Sequence, residues 1–175
     1  MPSARKQHAI EAQIPGLRRF AYALLRDRET ADDLVQDCLA RALSRWHLLR
    51  SEAELKPWLF RMLRNLHVDR LRQLGRRGPV VAYEEWHGPA APGDGDERLY
   101  AQDVLAALAR LPAEQQEALL LVGVEDLSYD EAAGVLRIPR GTLMSRLARG
   151  RAALRALTGR DGEAPAPRPG LRRLK

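Results

Sequence analysis

Residues 127–154 read LSYDEAAGVLRIPRGTLMSRLARGRAAL, and few conformations suit such a stretch. Ser128 is a good N-cap, and Glu131 three residues on can reach back to complete a capping box. The helix so opened must break at Arg137-Ile138-Pro139, because the residue before a proline is pushed out of the α region. Gly141-Thr142 then opens a second, longer helix. On it Leu143, Leu147, Gly150, Leu154 and Leu157 recur at steps of four, three, four and three, which makes one narrow buried seam. The pattern is a helix-turn-helix.

The opposite face of the second helix carries Gly141, Thr142, Ser145, Ala148, Arg149 and Ala152, small side chains with one long cation. Arg140, Arg146, Arg151 and Arg155 lie on its flanks, and no acid occurs between Glu131 and Asp161. A solvated helix face ordinarily mixes acids with bases. A slim, acid-free face flanked by arginines suits a helix that enters the DNA major groove and touches phosphates on either side. The plainer alternative is a helical hairpin with a basic surface.

Net charge is +6 and the pI is about 10.1, which favours a polyanionic partner. The only cysteine, Cys38, excludes an internal disulfide and a cysteine-based zinc site, and His8, His47, His67 and His87 have no metal-ligand spacing. No cofactor or metal is expected. No apolar run approaches the ~20 residues that span a bilayer, and no signal-peptide core stands at the N-terminus, so a cytoplasmic protein is expected.

Residues 1–73 have all-helical periodicity, with 14 basic and 9 acidic side chains. Leu17, Phe20, Ala21, Leu24 and Leu25 mark a first helix, with Pro15 near its start. After a polar break at residues 27–29, Thr30 is the expected cap of a second helix, with Asp33 as its box partner. That helix buries Leu34, Val35, Cys38, Leu39 and Ala42 and leaves Asp33, Gln36, Asp37 and Arg41 outside. Acids in a first turn also suit the helix dipole, but capping explains Gln36, Asp37 and Arg41 less easily. Residues 46–54 form a loop, and Pro57 enters a third helix with a core stripe of Leu59, Met62, Leu63 and Leu66. Its far side shows Arg61, Arg64, Asn65, Val68 and Arg72, a basic ridge with one amide, and Trp58 stands beside it. Such a ridge serves as plain surface or as a nucleic-acid contact, and a tryptophan there is more often core than a base-stacking platform.

Residues 74–98 hold five glycines and three prolines without periodicity, which reads as a linker, acidic from residue 79 to 97. Helical spacing returns with Val104, Leu105, Leu108 and Leu111, stops at Pro112, and resumes over residues 114–121. The expected architecture is all-α: one helical domain over residues 1–73, the linker over 74–98, a second helical domain over 99–159, and a disordered basic tail over 160–175.

These motifs resemble the extracytoplasmic-function (group IV) sigma factors of the bacterial sigma-70 superfamily. RETADDLVQDCLARAL looks like the region 2.2 pattern, and KPWLFRMLRNLHVDRLR resembles that of regions 2.3 and 2.4, supplying Trp58, Leu59, Asn65, Asp69 and Arg72. LPAEQQEALLLVGVEDLSYDEAAGVLRIPRGTLMSRLARGRAAL resembles region 4 almost throughout. The resemblance spans about residues 14–73 and 99–157 and leaves the linker and tails unmatched.

The resemblance implies a promoter-specificity subunit that binds core RNA polymerase, with an anti-sigma factor as a further partner. Asp33, Gln36, Asp37 and Arg41 would dock on the β′ clamp helices, and the β subunit would also be contacted. Trp58, Arg61, Arg64, Asn65 and Arg72, with the loop of residues 46–54, would engage the −10 element and capture an unstacked base. Ser145 and Arg149 would approach −35 base edges, while Arg140, Thr142, Arg146 and Arg151 would hold phosphates. The acidic linker would thread the polymerase channels. Two departures stand out: Met144 occupies a position where the family usually has Lys or Arg, and Ala148 one that often carries a larger side chain. Competing readings are a stand-alone regulator that dimerises through its N-terminal half, and a decoy that titrates an anti-sigma factor. An enzyme fits least, since no nucleophile–base pair or phosphate loop occurs.

Overall fold

The computed structural model describes residues 4–75, 104 and 106–159, and every regular element among them is helical. Of the expected linker over residues 74–98, Leu74 and Gly75 are instead helical, at the end of the helix Leu55–Gly75, and residues 76–98, like the tail over 160–175, lie outside the described residues.

A short α1 (Ala4–Glu11) leads into α2 (Ile14–Leu25), where Pro15 sits in the first turn and its missing N–H costs no helical bond. Helix α3 (Arg28–Ser44) corrects the capping expectation: Asp27, not Thr30, is the N-cap. The Asp27 carboxylate accepts the Thr30 hydroxyl proton and, at 2.8 Å, the Thr30 backbone N–H. These two bonds hold the Asp27 carboxyl below its ordinary range. Aspartate outranks threonine as a cap, so the helix starts one turn earlier than expected. Two single helical turns, Trp46–Leu48 and Glu52–Glu54, shape the loop before α4 (Leu55–Gly75).

Helices α2, α3 and α4 bury Leu17, Phe20, Leu34, Cys38, Leu59, Phe60 and Leu63 almost completely. Phe20 and Phe60 meet with ring centroids 5.5 Å apart and planes tilted by 57°, a favourable edge-on arrangement. Phe60 was not part of the expected stripe, and Leu39 is only partly buried against this core. The Cys38 thiol donates to the Leu59 carbonyl at 3.5 Å, and burial pushes its pKa up to about 12.

The second half builds on α5 (Ala113–Leu119), which runs into a wider π-type turn at Leu120–Val124. There the Glu125 N–H bonds the Leu120 carbonyl at 2.9 Å, five residues back, so the chain stays helical past residue 121, where the expected helix ends. Helices α6 (Tyr129–Leu136) and α7 (Arg140–Thr158) follow. Ser128 and Glu131 form the complete reciprocal capping box, and Arg137 closes α6 in a left-handed conformation (φ 54°). Leu143, Leu147 and Gly150 face inward. A Cβ on Gly150 would lie 2.9 Å from Leu119 Cδ1, so glycine is what lets α5 and α7 pack closely. The expected seam does not run to its end: Leu154 is half-buried and Leu157 is 42% exposed, because the last turns of α7 stand clear of the core.

The two halves share one continuous apolar cluster rather than two separate cores. Helix α4 packs on α6, and α2 touches α5.

Candidate nucleic-acid interface

Three faces carry the predicted residues. On α3, the side away from Leu34, Cys38 and Ala42 exposes Asp33, Gln36, Asp37 and Arg41, as their spacing requires. Asp37 Oδ2 accepts from Arg70 Nη2 of α4 at 2.7 Å, an exposed pair of the kind worth at most ~1 kcal/mol.

On α7 the outer face is open. Gly141, Met144, Ser145, Ala148, Arg149 and Ala152 are all exposed, and Thr142 is half-buried at its edge. Ser145 Oγ donates to the Thr142 carbonyl at 3.1 Å, and Arg149 Nη2 donates to Ser145 Oγ at 3.3 Å, so the two expected base readers lie together. Of the flanking cations, Arg151 is exposed, and Arg140 pairs with Asp130 at 3.1 Å while lying 5.9 Å from the Tyr129 ring centroid. Arg146 is turned inward: it is 14% exposed and bonded to Glu114 at 3.1 Å, so a phosphate would have to displace that carboxylate.

The α4 ridge is where the structure departs furthest from the sequence expectation. Asn65 is half-buried, and Arg72 is exposed beside Asp69 at 3.7 Å. At the other end the second half of the chain covers the ridge in part, and Arg61 stays exposed. Trp58 packs partly buried against the shared core. Arg61 Nη2 stands 3.1 Å from where a Cβ on Gly134 of α6 would sit. Arg64, 20% exposed, donates through Nε to Glu117 Oε2 at 3.0 Å, and Glu117 is 9% exposed. His67 is buried beside this ridge, and its Nδ1 has no hydrogen-bond partner among the described residues. Burial, then the Arg64 and Arg70 charges, hold its pKa below the ordinary value.

A second polar junction forms around Glu125, whose side chain is 2% exposed. Its carboxylate accepts two bonds from Arg19, at 2.9 and 3.1 Å, and its carbonyl accepts the Lys56 ammonium. Gly16 admits that carboxylate, since a Cβ there would lie 2.5 Å from Glu125 Oε2. Gln116 adds a bond to the Ala23 carbonyl at 3.1 Å, and Arg26 donates to the Ala109 carbonyl. Every buried polar group at this junction is therefore partnered across it, as low-dielectric burial demands.

Residues 10–64 match the family described as the Sigma2 domain of PhyR, and residues 101–154 match sigma-70 region 4. The ECF RNA polymerase sigma factor EcfG of Rhodopseudomonas palustris is 40% identical over 159 residues, which cover 87% of this chain and 84% of that protein. This chain belongs to the extracytoplasmic-function sigma factor family. The sigma factor SigM of Mycobacterium tuberculosis is 35% identical over 143 residues, covering 82% of this chain and 71% of SigM. Among solved structures, the sigma factor RpoE of Bartonella quintana, crystallised with the anti-sigma factor NepR, superposes with a TM-score of 0.78 at 33% identity, covering 90% of this chain and 99% of RpoE. CnrH, solved with the cytosolic domain of CnrY, shares the fold at a TM-score of 0.63 and 24% identity, over 89% of this chain and 88% of CnrH. The relatives are sigma factors, not stand-alone regulators.

In this sigma factor the region-2 domain comprises α2 to α4 and the region-4 domain α5 to α7. Sequence reasoning missed Gly16, Gln116, Glu117 and Glu125. A signal was present for two of them: Glu117, Leu121 and Glu125 follow at steps of four, which puts acids on the stripe that Leu121 marks as buried. Among the described residues no helix is long and apolar enough to cross a membrane, and no group of three His, Cys, Asp or Glu is placed to hold a metal.

Proposed function

We propose that the chain is a cytoplasmic, non-catalytic promoter-specificity subunit: it recruits core RNA polymerase, reads a −35 element through α7 and engages a −10 element through α4. The observation that carries this reading is the open, acid-free outer face of α7 in a chain whose two halves match sigma regions 2 and 4. Asp33, Gln36, Asp37 and Arg41 form the docking surface for the β′ clamp helices, with further contacts to the β subunit. Ser145 and Arg149 meet −35 base edges, and Arg140, Thr142, Arg146 and Arg151 hold phosphates. Trp58, Arg61, Arg64, Asn65 and Arg72 serve the −10 strand, where stacking and charge offset the cost of unstacking a base.

The covered ridge adds a condition. With Arg64 bonded to Glu117, the −10 strand cannot reach that cation unless the pair breaks and the two domains part. Polymerase, which engages each domain on a different surface, supplies the binding free energy for that opening. An anti-sigma factor, such as the one RpoE binds, acts oppositely by stabilising the closed form.

The test is run-off transcription with reconstituted core polymerase on a genomic fragment library. Discrete start sites that require the added chain and vanish with Asp37→Arg support the reading. Failure of the purified chain to bind core polymerase, or full activity of Asp37→Arg, removes its docking half.

A further inference from the structure

Resting on the assignment of α7 to the −35 major groove, we propose that Met144 is a specificity-determining residue that reads the C5-methyl group of a thymine there. Met144 is 50% exposed at one edge of the outer face, on the side where Arg151 and Arg155 also lie. Its neighbours on that face, three residues before and four after, are Gly141 and Ala148. A Cβ on Gly141 would meet nothing within 4 Å, so no internal packing accounts for a glycine inside this helix. Met144 therefore projects beside two low places at one edge of the face and Arg149 at the other, with Arg151 and Arg155 on the Met144 side.

The chemistry of the two long side chains differs. Arg149 can serve a guanine edge or a phosphate, and here its guanidinium rests on the Ser145 carbonyl and hydroxyl at 3.3 Å. Ser145 already donates its one hydroxyl proton to the Thr142 carbonyl at 3.1 Å. Met144 offers only methylene, thioether and methyl surface. It cannot donate to a base edge, and it carries no charge for a phosphate. The thymine C5-methyl is the apolar group that the major groove displays. A flexible, polarisable side chain adapts to it without the strict geometry a bidentate contact needs. A half-exposed apolar side chain in an otherwise polar setting gains from that burial.

The decisive experiment uses holoenzyme reconstituted from core polymerase and the full chain. A −35 element is first selected from randomised duplexes upstream of a fixed −10 sequence. Each thymine of the selected element, on both strands, is then replaced by deoxyuridine, which removes the methyl alone. One position should lose roughly three- to fivefold in affinity with the wild-type chain, the loss expected for one buried methyl. Met144→Ala should bind thymine and uracil there equally, and Met144→Leu should retain the preference. Met144→Lys should abolish the preference while increasing the salt slope by about one. Because Met144 is exposed, these variants keep the fold, and unchanged melting curves verify it. A flat uracil scan with the wild-type chain, or a scan unchanged by Met144→Ala, overturns the proposal while leaving α7 as the −35 reader. Selection of no −35 sequence at all removes both the proposal and the assignment beneath it.

Discussion

Arg64 of the region-2 domain and Glu117 of the region-4 domain meet at 3.0 Å, so a carboxylate occupies a cation on the ridge assigned to DNA. The contact joins residues 53 positions apart and leaves both side chains largely shielded from water. Breaking one partner of such a pair leaves a poorly solvated charge behind.

Glu117→Gln should weaken the closed form by about 1–2 kcal/mol, less than for a fully buried pair because Arg64 retains some solvent. The expected outcome is a larger radius of gyration in solution scattering and tighter binding of a single-stranded −10 oligonucleotide without polymerase. Identical scattering and identical oligonucleotide affinity would show that Glu117 does not hold the domains together.

Gly16→Ala forces a Cβ to within 2.5 Å of Glu125 Oε2, so the carboxylate must leave Arg19. A destabilisation of about 1–3 kcal/mol is expected, measured by denaturant unfolding. In Gly16→Ala/Glu125→Ala the clash has no partner, and the double variant should cost clearly less than the sum of the singles. Strict additivity would exclude a direct conflict.

Two glycines of α7 should respond with opposite sign to alanine. Gly150→Ala meets Leu119 Cδ1 at 2.9 Å and should destabilise by about 1–3 kcal/mol. Gly141→Ala meets nothing within 4 Å and should gain up to ~1 kcal/mol of helix propensity. Thermal melts of the two variants decide this directly.

His67 makes stability depend on pH. Its folded-state pKa is lowered by burial first and by Arg64 and Arg70 next, so the fold prefers the neutral ring. As pH falls through the ordinary value of 6.5, the unfolded chain takes up the proton first and stability declines. The loss continues until the folded form also protonates. Unfolding curves from pH 7.5 to 5.5 should show this decline in the wild-type chain and a flatter profile in His67→Leu. Parallel profiles would assign the decline to other groups.

Much of the chain was legible because its signals act over a few residues. The Ser128–Glu131 box, the stop at Pro139 and the inward Leu143 and Leu147 all follow from cap chemistry and helical period. The exposed set on α3 was readable for the same reason, since a stripe of Leu34, Cys38 and Ala42 leaves only one outer side. Thr30 misled because it lies within reach of a better acceptor three residues earlier, and propensity alone does not rank the two. The π-type turn at Leu120–Val124 was invisible, because LLVGV suits a plain helix equally well.

The sequence by itself determined the helices, the reading motif and the order of two sigma-type domains, because caps and hydrophobic period are short-range properties of the chain. Only the tertiary structure decided that the domains close on one another, that Arg64 faces Glu117, and that Arg146 turns to Glu114. The closure of the domains depends on groups as far as 106 residues apart meeting at shielded junctions, where a buried charge must find a partner. Local pattern marks a cation as outward from its own helix, but only packing reveals what stands there.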